Sequence, residues 1–90
     1  RYLQCARVLM DPRGAERLAQ ALAAKLPSGV RERIDAVVSP AMGGVIIGHE
    51  MGRALGRPAM FVERPGGTFE LRRGFRLEPG TGVLLVEDVV

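Results

Sequence analysis

Val83-Leu84-Leu85-Val86-Glu87-Asp88-Val89-Val90 runs four apolar residues into two adjacent carboxylates. Four consecutive aliphatic residues read as a strand covered on both faces, the pattern of a parallel sheet. Acids at the end of such a strand are either paired or placed for a ligand, because open parallel sheets bind ligands beyond the carboxyl ends of their strands. Neighbours in a regular strand point to opposite faces, so Glu87 and Asp88 do not make the converging acid pair that glycoside hydrolysis needs. At a strand end the backbone can turn, and both could then reach a polyhydroxyl ligand or support a metal ion. The structural alternative gives one acid to a helix cap and the other to an arginine.

Upstream, the pattern alternates helix and strand. Residues 14–26, GAERLAQALAAKL, predict a helix that starts after Asp11-Pro12, carries Leu18, Leu22 and Leu26 on one face and ends at Pro27-Ser28-Gly29. Ile34-Asp35-Ala36-Val37-Val38 predicts a short strand. A second helix follows over Val45 to Leu55, closed by Gly56. Its Gly48 and Gly52, four apart and near Ala54, predict close packing on a sheet, and Glu50 with Arg53 reads as a surface ion pair. Ala59-Met60-Phe61-Val62-Glu63 is a second strand. Residues 64–76 read as a hairpin or mobile flap, turning first near Pro65-Gly66-Gly67, with Phe69, Leu71 and Phe75 at period two. Glu78-Pro79-Gly80-Thr81-Gly82 turns the chain into the third strand. The order predicts an α/β domain with crossover helices. Three parallel strands and two helices leave such a sheet partly covered, so the chain reads as an internal stretch of a longer protein.

Ninety residues allow one small domain. The single Cys5 excludes an internal disulfide framework, and a cytoplasmic setting is expected. No window is apolar enough to span a membrane, and RYLQCARVLM is too short and mixed for a secretory leader. A net charge of +3 without tryptophan or a long basic run does not point to nucleic acid.

Two loops carry the chemistry. Ser39-Pro40-Ala41-Met42-Gly43-Gly44 lies between a strand and a helix, where free amides can face an anion. It is neither the dinucleotide glycine fingerprint nor the lysine-bearing phosphate loop, and a plain tight turn is the structural alternative. Arg64, Arg72 and Arg73 lie in or beside the hairpin, where they could neutralise phosphate charge or merely be solvated. His49 stands on a helix without a second ligand nearby, and Cys5 without an activating base reads as a small hydrophobe.

VLLVEDVV resembles the first part of the ribose-phosphate-binding signature of the type I phosphoribosyltransferases, with Glu87 and Asp88 on its two acids. Together with RYLQCARVL, VVSPAMGGVIIGHEMGRALG and FVERPGGTFELRRGF, it is similar over almost the whole chain to the short-hairpin branch of the bacterial orotate phosphoribosyltransferases. The resemblance implies a parallel sheet flanked by helices with a flexible hairpin flap. Residues 1–90 would then be part of the core domain, with a hood portion and the rest of the core outside them. It also implies transfer of ribose 5-phosphate from 5-phosphoribosyl 1-diphosphate to orotate in pyrimidine biosynthesis, with Mg²⁺, in a cytoplasmic homodimer.

Residue by residue, the resemblance gives Ala41, Met42, Gly43 and Gly44 to the diphosphate loop, which in the family often holds a non-proline cis peptide. Arg64 matches an arginine at the base of the catalytic loop that reaches the neighbouring subunit, and Arg72 or Arg73 would add diphosphate contacts. Glu87 and Asp88 would hold the ribose hydroxyls, directly or through water on Mg²⁺, with Val89 and Val90 leading to the 5-phosphate loop. No side chain is expected to bind the metal as a primary ligand. Catalytic weight would fall on Glu87, Asp88 and Arg64. The chain departs from long-loop members: Gly43 stands where they carry lysine, and the flap has arginines without lysine or histidine. The alternatives are a phosphoribosyltransferase for a purine or uracil, or a non-catalytic regulator on the same fold.

Overall fold

The computed structural model describes residues 6–87. Cys5, Asp88, Val89 and Val90 lie outside that range. The elements run α1 (Ala6–Leu9), α2 (Pro12–Ala24), α3 (Ser28–Arg31), β1 (Ala36–Pro40), α4 (Val45–Leu55), β2 (Ala59–Glu63), β3 (Glu70–Leu71) and β4 (Val83–Leu85). The sheet order is β3-β2-β1-β4. β1 pairs in parallel with β2 through Val37↔Ala59 to Pro40↔Val62, and with β4 through Ala36↔Val83 to Val38↔Leu85. β3 returns antiparallel on β2, Val62 opposite Leu71. The result is a mostly parallel sheet flanked by helices.

α2 begins where Asp11 accepts a hydrogen bond from the Arg13 amide at 3.2 Å, with proline at the first helical position. Its buried face is built of alanine and not of the leucines that repeat with the same spacing. Ala15, Ala19 and Ala23 are buried, whereas Leu22 is exposed and Leu18 only half-buried. Alanines and leucines share the four-residue spacing, and the small side chains win the inner face because α2 packs directly along α4. Pro27-Ser28-Gly29 does not simply end that helix. The Pro27 carbonyl accepts from the Val30 and Arg31 amides at 2.9 and 3.0 Å and opens α3, where a missing proline N–H costs nothing.

β1 also sits two residues later than the expected Ile34–Val38. The Ile34 amide donates to Arg31 in the turn after α3, so Ile34 is buried without joining the ladder. At that end of the sheet the Asp35 carboxylate accepts from the Gly82 amide at 2.9 Å, and the Asp35 amide donates to the Gly82 carbonyl at 2.7 Å. A side chain at Gly82 would overlap the Arg33 carbonyl, so only glycine fits. The turn before it is as expected: Thr81 donates from both N and Oγ1 to the Glu78 carbonyl, and Gly80 takes φ 87°.

α4 lies on the sheet as its glycines predict. A Cβ on Gly48 would overlap the Ser39 side chain, and one on Gly52 would stand 2.8 Å from the Ala59 Cβ. Val37, Ile47, Met51 and the α2 alanines form the core between sheet and helices. Glu50 is a partial correction. Its Oε1 lies 3.3 Å from Arg53 Nε, but the side chain is mostly buried and that oxygen has no hydrogen-bond partner among the described residues. Among the described residues β4 pairs only with β1, with Val83 and Leu85 exposed and Leu84 turned to the core, so these residues supply cover on one of its faces. Val86 extends the ladder by one bond, its amide donating to Val38 at 3.0 Å.

Candidate phosphate and ribose site

Parallel pairing brings the carboxyl ends of β1, β2 and β4 to one edge of the sheet. There the Ala41–Gly44 turn leaves β1, Glu63 and Arg64 leave β2, and Glu87 follows β4. A cavity of about 440 Å³ lies against this edge, lined by Val38, Pro40, Val62, Phe69, Leu85, Val86 and Glu87. It has an apolar floor from the strands and a carboxylate on its rim.

The Ala41–Gly44 turn is held at both ends. The Ala41 amide donates to Val62 at 2.8 Å and the Gly44 amide to Pro40 at 3.0 Å. Between them, the amides of Met42 and Gly43 meet no acceptor among the described residues. Both residues are exposed, and the Ala41–Met42 peptide is cis. Two unpaired amides beside the start of an eleven-residue helix are donors suited to an anion.

The hairpin stands over the other side of the cavity. The ladder pairs Glu63 with Glu70, and the connecting residues turn at Pro65-Gly66. Arg64 lays its guanidinium 4.7 Å from the centre of the Phe69 ring. Phe69 is about half exposed and lines the cavity, while Phe75 lies outside any strand and meets Phe61 edge-on at 5.1 Å. Arg72 and Arg73 are both exposed, but they differ. Arg73 donates from Nε to Glu63 Oε1 at 2.8 Å and from Nη2 to Oε2 at 3.4 Å. That pairing holds the Glu63 carboxyl below its usual range.

The turn amides, Arg64 and Glu87 thus lie where β1, β2 and β4 end, whereas Arg72 follows β3, which runs antiparallel to β2 and leads away from that edge, and Arg73 is tied to Glu63. Asp88, Val89 and Val90 are outside the described residues. Sequence reasoning missed Glu63. Its signal was a carboxylate ending a strand, nine and ten residues before a doubled arginine across a short hairpin. His49, exposed on α4, is not among the residues that line the cavity.

A mostly parallel sheet with its ligand edge built this way is consistent with the type I phosphoribosyltransferase class. No family model matches the chain. It is 76% identical over 89 residues to the orotate phosphoribosyltransferase of Sphingopyxis alaskensis, covering 99% of this chain and 45% of that protein. It is 54% identical over 88 residues to that of Acidithiobacillus ferrooxidans, and 51% identical over 89 to that of Caulobacter vibrioides, at 45% of each relative. The chain belongs to the orotate phosphoribosyltransferase family. It spans about half the length of the curated relatives it matches.

Proposed function

We propose that the protein containing this chain transfers ribose 5-phosphate from 5-phosphoribosyl 1-diphosphate to N1 of orotate, giving orotidine 5'-monophosphate and diphosphate. Residues 1–90 would form part of its core domain, in a cytoplasmic homodimer whose hairpin reaches the partner's site. The observation that carries the reading is the pair of acceptor-free amides at Met42 and Gly43, in the turn that leaves β1 at the same end of the sheet where Glu87 follows β4. The family relatives supply the substrate names.

In this reaction the ribose C1–O bond breaks with its electron pair leaving on diphosphate, and a bond forms from C1 to the ring nitrogen of deprotonated orotate. Positive charge grows on the ribose ring and negative charge on the leaving group. The Met42 and Gly43 amides would donate to diphosphate oxygens, and Arg64 would neutralise charge as the hairpin closes and excludes water. Glu87, with Asp88, would accept from the ribose 2'- and 3'-hydroxyls, fixing the sugar and placing negative charge near the developing cation. Neither acid is needed as a general base, because orotate N1 can lose its proton in solution.

Among the described residues no three potential metal-ligating side chains gather, and Glu87 is an exposed single carboxylate. That donor set fits Mg²⁺ held mostly by substrate oxygens and water, with Glu87 reaching it through water. When bound, the ion would draw charge from the leaving diphosphate.

The test uses the full-length protein with Mg²⁺ and 5-phosphoribosyl 1-diphosphate, following orotate loss by ultraviolet absorbance beside adenine, guanine, xanthine and uracil. Orotate alone is expected to be consumed. Glu87→Gln should lower kcat/KM by about 10- to 100-fold, the worth of a charge-assisted hydrogen bond. Turnover of another base would overturn the substrate, and ligand binding without turnover of any base would indicate a regulator.

A further inference from the structure

We propose that Phe69 is a positioning residue for Arg64, its ring backing the guanidinium at the ligand edge while the N–H donors stay free for an anion. The inference rests on the reading that Arg64 meets the leaving group, and it gives a role to an aromatic ring outside that chemistry.

The backbone brings the two side chains together. β2 and β3 pair Val62 with Leu71 and Glu63 with Glu70, so the same register sets Arg64 opposite Phe69, one step past the ladder. Pro65 follows Arg64, and a residue before proline favours extended backbone. Arg64 therefore continues the alternation of β2 and falls on the face of Val62, not that of Glu63. The chain then turns through Pro65 and Gly66, the Gly67 amide donating to the Arg64 carbonyl at 3.5 Å, with Gly67 at φ 89°. Across this turn the guanidinium carbon lies 4.7 Å from the centre of the Phe69 ring.

The ring stands between the arginine and the cavity. Phe69 lines the cavity with Val62, Leu85 and Glu87, whereas Arg64 is not among the lining residues. A ring face attracts a cation placed over it, and a contact on one side of a planar guanidinium leaves the donors along its edge open. Among the described residues no hydrogen bond or ion pair occupies those donors. An arginine without such backing gives up its rotamer freedom at the moment it takes the anion, and the ring removes part of that loss beforehand. The plainer role for Phe69 is an apolar wall of the cavity. Leucine would fill that role too, but only a ring can back the guanidinium.

The test is run in the full-length protein, once wild-type turnover of orotate is established. Phe69→Leu keeps an apolar wall without the ring, and should lower kcat/KM for 5-phosphoribosyl 1-diphosphate about two- to fivefold. Phe69→Tyr should recover most of that loss. In an Arg64→Gln background Phe69→Leu should change kcat/KM by less than about 1.5-fold, because the ring acts only through the arginine. Equal losses in both backgrounds, an unaffected Phe69→Leu, or a Phe69→Tyr as poor as Phe69→Leu overturns the proposal. A second arm needs no turnover. In nuclear magnetic resonance spectra the ring should hold the Arg64 Nε–H signal upfield, and Phe69→Leu, but not Phe69→Tyr, should release it downfield. Saturating inorganic diphosphate should leave the upfield displacement in place, and its loss would overturn the proposal by showing that the arginine quits the ring to bind. Should the wild type fail to use orotate, the functional reading falls, and the contact is judged on this arm alone, where a signal unmoved by Phe69→Leu overturns it.

Discussion

Glu63 ends β2 and also ties down the segment that follows β3, through its pair with Arg73. Its hydrogen bond from Arg73, reinforced by the charges of Arg73 and more weakly Arg72, holds its carboxyl below the ordinary value of 4.5. The folded state therefore binds the proton less readily than the unfolded chain. The pair's contribution is fully present above about pH 5, and it is lost as pH falls through the lowered folded value. Denaturant titrations across acid pH should show wild type and Glu63→Gln differing by a constant amount above that point and converging below it. The difference is expected to be small, because both groups meet water. The residue was readable in sequence as a strand terminus, but its partner was not. The pairing depends on Arg73 adopting φ 60°, and no spacing rule announces a non-glycine reversal.

At the scale of elements, α4, β2 and the turn before β4 were legible because each is bounded by residues with a single backbone meaning. Gly56 closes α4 at φ 68°, and Pro79-Gly80 sets the turn. α2 was legible in place but not in orientation, since leucines and alanines repeat with the same period and size is a poor guide when two helices must approach closely. The structure makes the contrast testable. Ala19→Leu should cost about 1–3 kcal/mol by overfilling the contact with α4. Leu22→Ala should fall well below the roughly 2–5 kcal/mol typical of a buried leucine. Urea unfolding of the two variants checks both, and equal losses would restore the leucine face as the inner one. The loop amides at Met42 and Gly43 were legible as a location, through two glycines between a strand and a helix. Which amides lack an acceptor emerged only from the three-dimensional turn.

Across the whole molecule, the described residues leave apolar side chains on the β4 edge and the neighbouring sheet face, Leu85 at 75% exposure and Phe69 at 49%. Among the described residues no helix is long and apolar enough to cross a membrane. An exposed apolar edge strand is a template for pairing with another chain. The ninety-residue chain studied alone should therefore associate as concentration rises, and Leu85→Lys should reduce that association in sedimentation velocity without changing the far-ultraviolet circular dichroism. The sequence signalled the apolar run but not its position at the edge, because strand order is a property of pairing and not of any single strand. That pairing has a further effect at a distance. Sliding β4 by one residue against β1 would carry Glu87 about 3.3 Å along the strand and turn its side chain to the opposite face. The reciprocal bonds between Asp35 and Gly82 forbid the slip from the far end of the sheet. They act as the zero mark of a ruler, so an error at one edge of the sheet would be read out as a misplaced carboxylate at the edge that carries the candidate site.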